Sequence, residues 1–226
     1  RYSIDFPQTY IDNNITATVN LLEVAKEYNI SDFILASTSS VYGLSKDMPF
    51  DEETSIETPI STYASTKRAC ELLCHTYHNL YGIRFKIMRF FTVYGPWGRP
   101  DMALFKFTKA MLDGQPIKVF NNGNMKRDFT YVDDIVSGFI LGLENDLDFE
   151  IFNLGNGTAI QLLKFIEIIE SKLGILSKKI FLPMQQGDVT ETWANTNKAK
   201  RLLGYRPKVG VEEGISNFIN WYNTYY

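Results

Sequence analysis

Apolar positions step by threes and fours through residues 9–28, TYIDNNITATVNLLEVAKEY, with Ile11, Ile15, Val19, Leu22 and then Ala25 or Lys26 on one stripe. That spacing predicts an amphipathic helix. FILAST, 33–38, is a short apolar run that turns to hydroxyls, the pattern of a buried parallel strand with a polar end. A second helix is expected over 62–80, with Ser61 or Thr62 as its N-cap. FKIMRFF, 85–91, reads as a strand and runs into the Gly/Pro-rich loop TVYGPWGRP. Beyond it the pattern predicts a helix over 101–113, ended by Gly114, a strand over 117–120 and a helix over 131–145. It continues with a strand over 150–155, a strongly amphipathic helix over 159–174, a strand over 179–183 and a last helix over 211–225.

Strands alternate with helices along the chain, which points to an α/β fold with a mainly parallel sheet. Strands are shorter in the second half, so a smaller lobe is expected there. Ligands in such folds sit beyond the carboxyl ends of the strands, where Thr38 and Thr92 fall. With 226 residues, 45% of them apolar, the chain can build one core or a core plus a small lobe. A net charge of −3 gives no electrostatic case for nucleic acid. No apolar run is long enough to span a membrane. Cys70 and Cys74 lie four apart beside His75, but no full set of metal ligands accompanies them. Two buried thiols on a helix is the simpler reading, and no metal is expected. His78 is expected at the surface.

The chemistry starts from ISTYASTKRA, where Tyr63 precedes Lys67 by one helical turn, so both side chains share a face. A free phenol titrates near pH ~10, too high for a base at neutrality, and a nearby cation lowers that value. The pair suits removal of a hydroxyl proton. By itself Tyr-x-x-x-Lys is common by chance. About 25 residues upstream, however, STSSVYG places Ser37, Thr38, Ser39 and Ser40 at a strand end, where hydroxyls can hold a substrate hydroxyl beside the tyrosine.

LASTSSVYG, YASTK, MRFFTVYGPWGRPDMALFKF and MKRDFTYVDDI together resemble the extended short-chain dehydrogenase/reductase family, and within it the nucleotide-sugar 4-epimerases acting on UDP-glucuronate. The resemblance covers essentially the whole chain. It implies a Rossmann-like NAD-binding domain with a smaller C-terminal substrate lobe. Residues 1–115 would be the remainder of the first, and 116–226 mainly the UDP-sugar lobe, with segments of the two interleaved. Tyr63 would be the catalytic base. Lys67 would bind the nicotinamide ribose and tune Tyr63. Thr38 would be the catalytic hydroxyl, and Asn14 a residue beside the cofactor. Ala17 stands where the family commonly has glycine.

The implied reaction oxidises C4 to a ketone at the expense of NAD and reduces it again from the other face. A 4-keto uronic acid readily loses CO2, so an epimerase must hold the carboxylate out of alignment for that cleavage. Ser39, Ser40 and Thr92 are placed to hydrogen-bond it, with Arg99 as the cation. The triplet Thr38-Ser39-Ser40 resembles neither the Thr-Asp-Glu of related dehydratases nor the Thr-Ser-Glu of related decarboxylases. On the nucleotide side, Phe120 would stand near the uracil, Arg127 would bind the pyrophosphate and Asp188 the nucleoside ribose. Gln186 stands where the family has Pro or Arg.

The family's glycine-rich phosphate loop is not found in the sequence. NLGNG, 153–157, lacks its spacing and reads as an ordinary turn. The chain begins with Arg1, and the resemblance places that loop upstream, so an N-terminally truncated Rossmann-like sheet with an open edge is expected. The alternatives are a UDP-glucuronate decarboxylase, another nucleotide-sugar epimerase or dehydratase, and a non-catalytic binding module. A homodimer through the helices at 9–28 and 62–80, and a cytoplasmic location, complete the expectations from the resemblance.

Overall fold

Pro7 disfavours helical backbone at the residue before it, and the chain follows that rule at once. The computed structural model describes residues 2–185 and 187–226. Helix α1, Tyr2–Asp5, stops before Phe6, and α2, Pro7–Tyr10, starts with the proline in its first turn. A π-helical segment, Ile11–Thr16, then leads into α3, Ala17–Glu27. The wider π turn rotates the helix face. Thr18, Leu22 and Ala25 are therefore buried, whereas Ile11 is exposed and Val19 half-buried, so the inward stripe differs from the one the spacing predicts.

Strand β1, Asp32–Thr38, follows, and then α4, Thr62–Tyr81. Ser61 caps α4 by accepting the Ala64 amide at 3.2 Å, and Gly82 ends it in left-handed backbone. Next come β2, Arg84–Phe90; β3, Thr92–Tyr94; and α5, Ala103–Leu112. After them come β4, Ile117–Val119; β5, Lys126–Arg127; β6, Phe129–Tyr131; and α6, Val132–Leu143. The rest of the chain forms β7, Phe149–Leu154; β8, Ile160–Gln161; α7, Leu162–Leu173; β9, Lys179–Phe181; β10, Glu191–Thr192; α8, Asn197–Leu202; and α9, Val211–Tyr225.

The main sheet among the described residues has the order β1-β2-β7, all parallel, with Thr38 opposite Phe90 and Phe90 opposite Leu154. Their carboxyl ends therefore line one edge. One face packs Leu22, Leu35, Cys70, Cys74, Phe85 and Ile87, the other Met88, Ile135, Phe152, Leu154 and Tyr205. The switch between Ile87 and Met88 is the strand's alternation of faces. β3 pairs with β6 and β4 with β9, while β5 lies between β10 and β8. A separate core gathers Tyr94, Phe105, Phe129, Phe165 and Phe218, with Phe129 and Phe165 stacked at 3.8 Å. β1 is an edge strand, and Leu21, Val24 and Tyr28 on α3 are exposed.

Arg89 of β2 is 1% exposed, yet fully engaged. Its Nε and Nη2 donate to the two oxygens of Glu71 on α4, at 3.0 and 2.9 Å. Nη1 donates to the Tyr42 hydroxyl at 3.0 Å, and that hydroxyl donates to Asn153 Oδ1 at 2.7 Å. Ser37, near the end of β1, donates to Glu71 at 2.6 Å. The Ser37 hydroxyl is thus spent on the helix rather than offered to a ligand. One buried carboxylate ties α4 to both strands.

Removing one partner leaves a buried charge alone. Glu71→Gln or Arg89→Met should each cost about 3–5 kcal/mol in urea unfolding, and the double variant Glu71→Leu/Arg89→Met should recover much of that loss.

Candidate active site

Tyr63 stands in the first turn of α4 and Lys67 one turn later, so the helix presents both on one face. The strand end of β1 brings the Thr38 hydroxyl near enough to Tyr63 to favour its phenolate form. Thr38 is buried, and its Oγ1 also accepts the Ser40 amide and donates to Ser40 Oγ, both at 3.2 Å. Ser39 is half-buried and Ser40 exposed, on the short 3-10 turn Ser39–Tyr42. Tyr10 lays its ring edge-on to Tyr63, centroids 5.9 Å apart.

Burial raises the Tyr63 pKa above that of a free phenol, while the Thr38 hydroxyl and the charge of Arg99 pull it down. Arg99 is a cation that acts on Tyr63 in this way. Burial lowers the pKa of Lys67, and Cys70, Glu71 and Cys74 on the same helix push it back up. No carboxylate forms an ion pair with Lys67 among the described residues. Asn14, in the π-helical segment, donates to Thr66 Oγ1 at 2.9 Å, and Thr66 donates to the Tyr63 carbonyl at 2.9 Å. The Asn14 carbonyl accepts from Cys70 at 3.5 Å. Asn14 thus braces the turn that carries Tyr63.

Arg99 and Thr92 line one cleft with Gly95, Gly98 and Met102. The Arg99 guanidinium is exposed and paired in fork geometry with Asp101, at 2.9 and 2.5 Å. The structure thus brings Tyr63, Lys67, Thr38, Ser39, Ser40, Thr92 and Arg99 to the carboxyl-end edge of the strands.

Phe120, Arg127 and Asp188 lie in the second half of the chain. Phe120 follows β4, whose Val119 carbonyl accepts the Leu182 amide at 2.9 Å. Arg127 donates to the carbonyls of Val189 and Thr190, at 2.6 and 3.2 Å, directly after Asp188. Gln186 lies outside the described residues.

In the turn after β7, two amides are already taken up by a buried carboxylate. Asn156 and Gly157 donate theirs to the buried Asp128, at 2.7 and 2.9 Å. Cys70 and Cys74 are free and buried, and burial pushes the Cys74 thiol up to about 12. No metal-holding cluster occurs among the described residues. His78 is half-buried, with Nδ1 2.9 Å from the Ile83 carbonyl, and is not the surface residue expected. Tyr10, Glu71 and Arg89 were not among the expected site residues. A lone arginine inside the apolar run FKIMRFF was the available signal for a buried ion pair.

The model of the NAD dependent epimerase/dehydratase family matches residues 1–155. An uncharacterized protein of Methanocaldococcus jannaschii is 52% identical over 222 residues, covering 98% of this chain and 68% of the relative. The UDP-glucuronate 4-epimerase of Thermodesulfobacterium geofontis is 46% identical, with the same two coverages of 98% and 68%. Among solved structures, the UDP-glucuronic acid 4-epimerase of Bacillus cereus, in complex with UDP-glucuronic acid and NAD, superposes with a TM-score of 0.91. It is 38% identical, over 96% of this chain and 69% of that one. The chain has that Rossmann-like α/β fold.

The balance at Tyr63 can be read by carbon NMR of ring-labelled protein, with Tyr63→Phe identifying the resonance. Tyr63 should titrate above a free phenol's value of about 10. Arg99→Gln removes a group that favours the phenolate, so the Tyr63 titration should move to still higher pH.

Proposed function

This chain belongs to the NAD dependent epimerase/dehydratase family, and on that footing we propose that it is an NAD-dependent nucleotide-sugar 4-epimerase converting UDP-glucuronate to UDP-galacturonate. The observation that carries the reading is the strand end itself. Thr38 meets Tyr63 there, the next two residues are Ser39 and Ser40, and Arg99 supplies the cation. The relatives named for UDP-glucuronate 4-epimerisation support the same substrate.

The residues present fit the cofactor. Lys67 carries a half-buried ammonium with no carboxylate partner, which the hydroxyls of a ribose would satisfy. Asn14 and Tyr63 would flank it. Bound NAD supplies a reversible hydride acceptor at C4. The chain's own residues do the rest. Thr38 holds the C4 hydroxyl against the Tyr63 oxygen, and Tyr63 takes its proton and later returns it. Burial favours the neutral phenol, and Arg99 and Thr38 oppose it, bringing the phenolate nearer to reach. Arg99 takes the sugar carboxylate in the fork geometry that it now offers Asp101, aided by Thr92, Ser39 and Ser40. That grip turns the carboxylate bond away from alignment with the C4 ketone and so suppresses loss of CO2. A glutamate at position 40 would repel the same carboxylate.

Arg127 and Asp188 are assigned to the pyrophosphate and the nucleoside ribose, and Phe120 to the uracil side. We assign residues 1–115 mainly to the cofactor and catalytic part, and 116–226 mainly to the UDP-sugar lobe. Exposed Leu21 on α3 and Leu72 and Leu80 on α4 support a homodimer through these helices. No helix among the described residues is long and apolar enough to cross a membrane.

Proton NMR of the products formed from UDP-glucuronate with NAD checks the reaction. UDP-galacturonate is expected, and UDP-xylose as the main product would overturn the reading. Tyr63→Phe should lower kcat by about 10²–10⁴-fold. Ser40→Glu should raise the pentose fraction.

A further inference from the structure

The loop that carries Arg99 is held in an unusual way. Gly95 has φ 144° and Trp97 has φ 60°. A glycine accepts such backbone readily, but a bulky residue in the left-handed region is a strained outlier that its surroundings must enforce. Trp97 is also 68% exposed, so burial of its ring does not enforce it. Its partners come from the far end of the chain. The Trp97 ring lies edge-on to Tyr225 with centroids 4.5 Å apart, and 5.4 Å from Trp221, both on α9. Trp221 and Tyr225 stack on each other at 5.8 Å.

The same helix grips the root of the loop. The Tyr94 hydroxyl donates to the Gly210 carbonyl at 3.5 Å. A Cβ on Gly214 would sit 2.2 Å from that hydroxyl oxygen, so the bare backbone of α9 at Gly214 makes room for the tip of the Tyr94 ring. Phe218 of α9 lines the cleft together with Thr92 and Arg99. Within the loop, the Gly98 amide donates to the Gly95 carbonyl at 3.2 Å, closing the turn that contains Trp97 two residues before Arg99.

We propose that Trp97, clasped by Trp221 and Tyr225, is a positioning residue that sets Arg99 over the substrate site and so confers preference for a sugar bearing a carboxylate. The choice of substrate is thereby tied to the C-terminal helix, which need not touch the sugar. The inference rests on the assignment of Arg99 to the sugar carboxylate.

Two measurements on the full-length protein with NAD test it. Amide hydrogen exchange over residues 95–101 reads the clasp without reference to substrate. Tyr225→Ala, at an exposed position, should speed exchange of those amides by about threefold to tenfold. Unchanged exchange would overturn the clasp. Calorimetric binding of UDP-glucuronate and UDP-glucose reads its consequence. Trp97→Gly, which suits the backbone and removes the ring, should weaken UDP-glucuronate by about threefold to tenfold and leave UDP-glucose as it was, with Trp97→Phe restoring the preference. Equal weakening of both sugars would show a merely structural ring and overturn the proposal. A wild-type protein that binds both sugars alike would sink the carboxylate role of Arg99 instead, and exchange alone would then decide the clasp.

Discussion

The buried ion pair between Arg89 and Glu71 is the constraint on which the site depends. Each partner is 1% exposed, and neither could remain there uncompensated. Glu71 lies one turn beyond Lys67 and two beyond Tyr63 on the same helix. Arg89 lies on β2, and Ser37, also bound to Glu71, is the residue before Thr38 on β1. Helix α4 therefore has one permitted register on the sheet. That register brings Tyr63 to the end of β1, beside Thr38.

With the geometry fixed, burial sets the chemistry. It raises the Tyr63 pKa and lowers that of Lys67. Both groups are pushed toward neutrality, and both are waiting for charge. Arg99 supplies part of it from a loop outside the sheet. The carboxylate that Arg99 now holds, Asp101, is exposed and only two residues along the chain, so another carboxylate can take its place at small cost. In this account a rigid pair, Thr38 and Tyr63, performs the proton transfer. A separately supported arginine selects what is brought to it.

Much of this was legible in the sequence where spacing and chemistry coincide. Tyr63 and Lys67 share a face because they stand one turn apart, and Thr38 reaches them because a parallel strand ends there. The π turn at Ile11–Thr16 could not be read, since a single extra residue in a turn leaves no periodic trace, and the inward face of α3 was misjudged as a result. Strands of two or three residues, such as those at Thr92–Tyr94, Lys126–Arg127 and Phe129–Tyr131, are too short to show alternation. Partners distant in sequence were hidden as well. Asp128 takes the amides of Asn156 and Gly157, which no local pattern reveals. The roles of Phe120, Arg127 and Asp188 came from resemblance, and the structure adds only the neighbourhood of Arg127 to the segment after Asp188.

The central claim is that this site inverts C4 by removing hydrogen from that carbon and putting the same hydrogen back. Conversion of UDP-glucuronate carrying deuterium at C4, followed by mass and NMR analysis of the product, tests it most directly. The account predicts UDP-galacturonate that keeps its deuterium at C4. Replacement of that deuterium by hydrogen from water, or by hydrogen at C5, would contradict it.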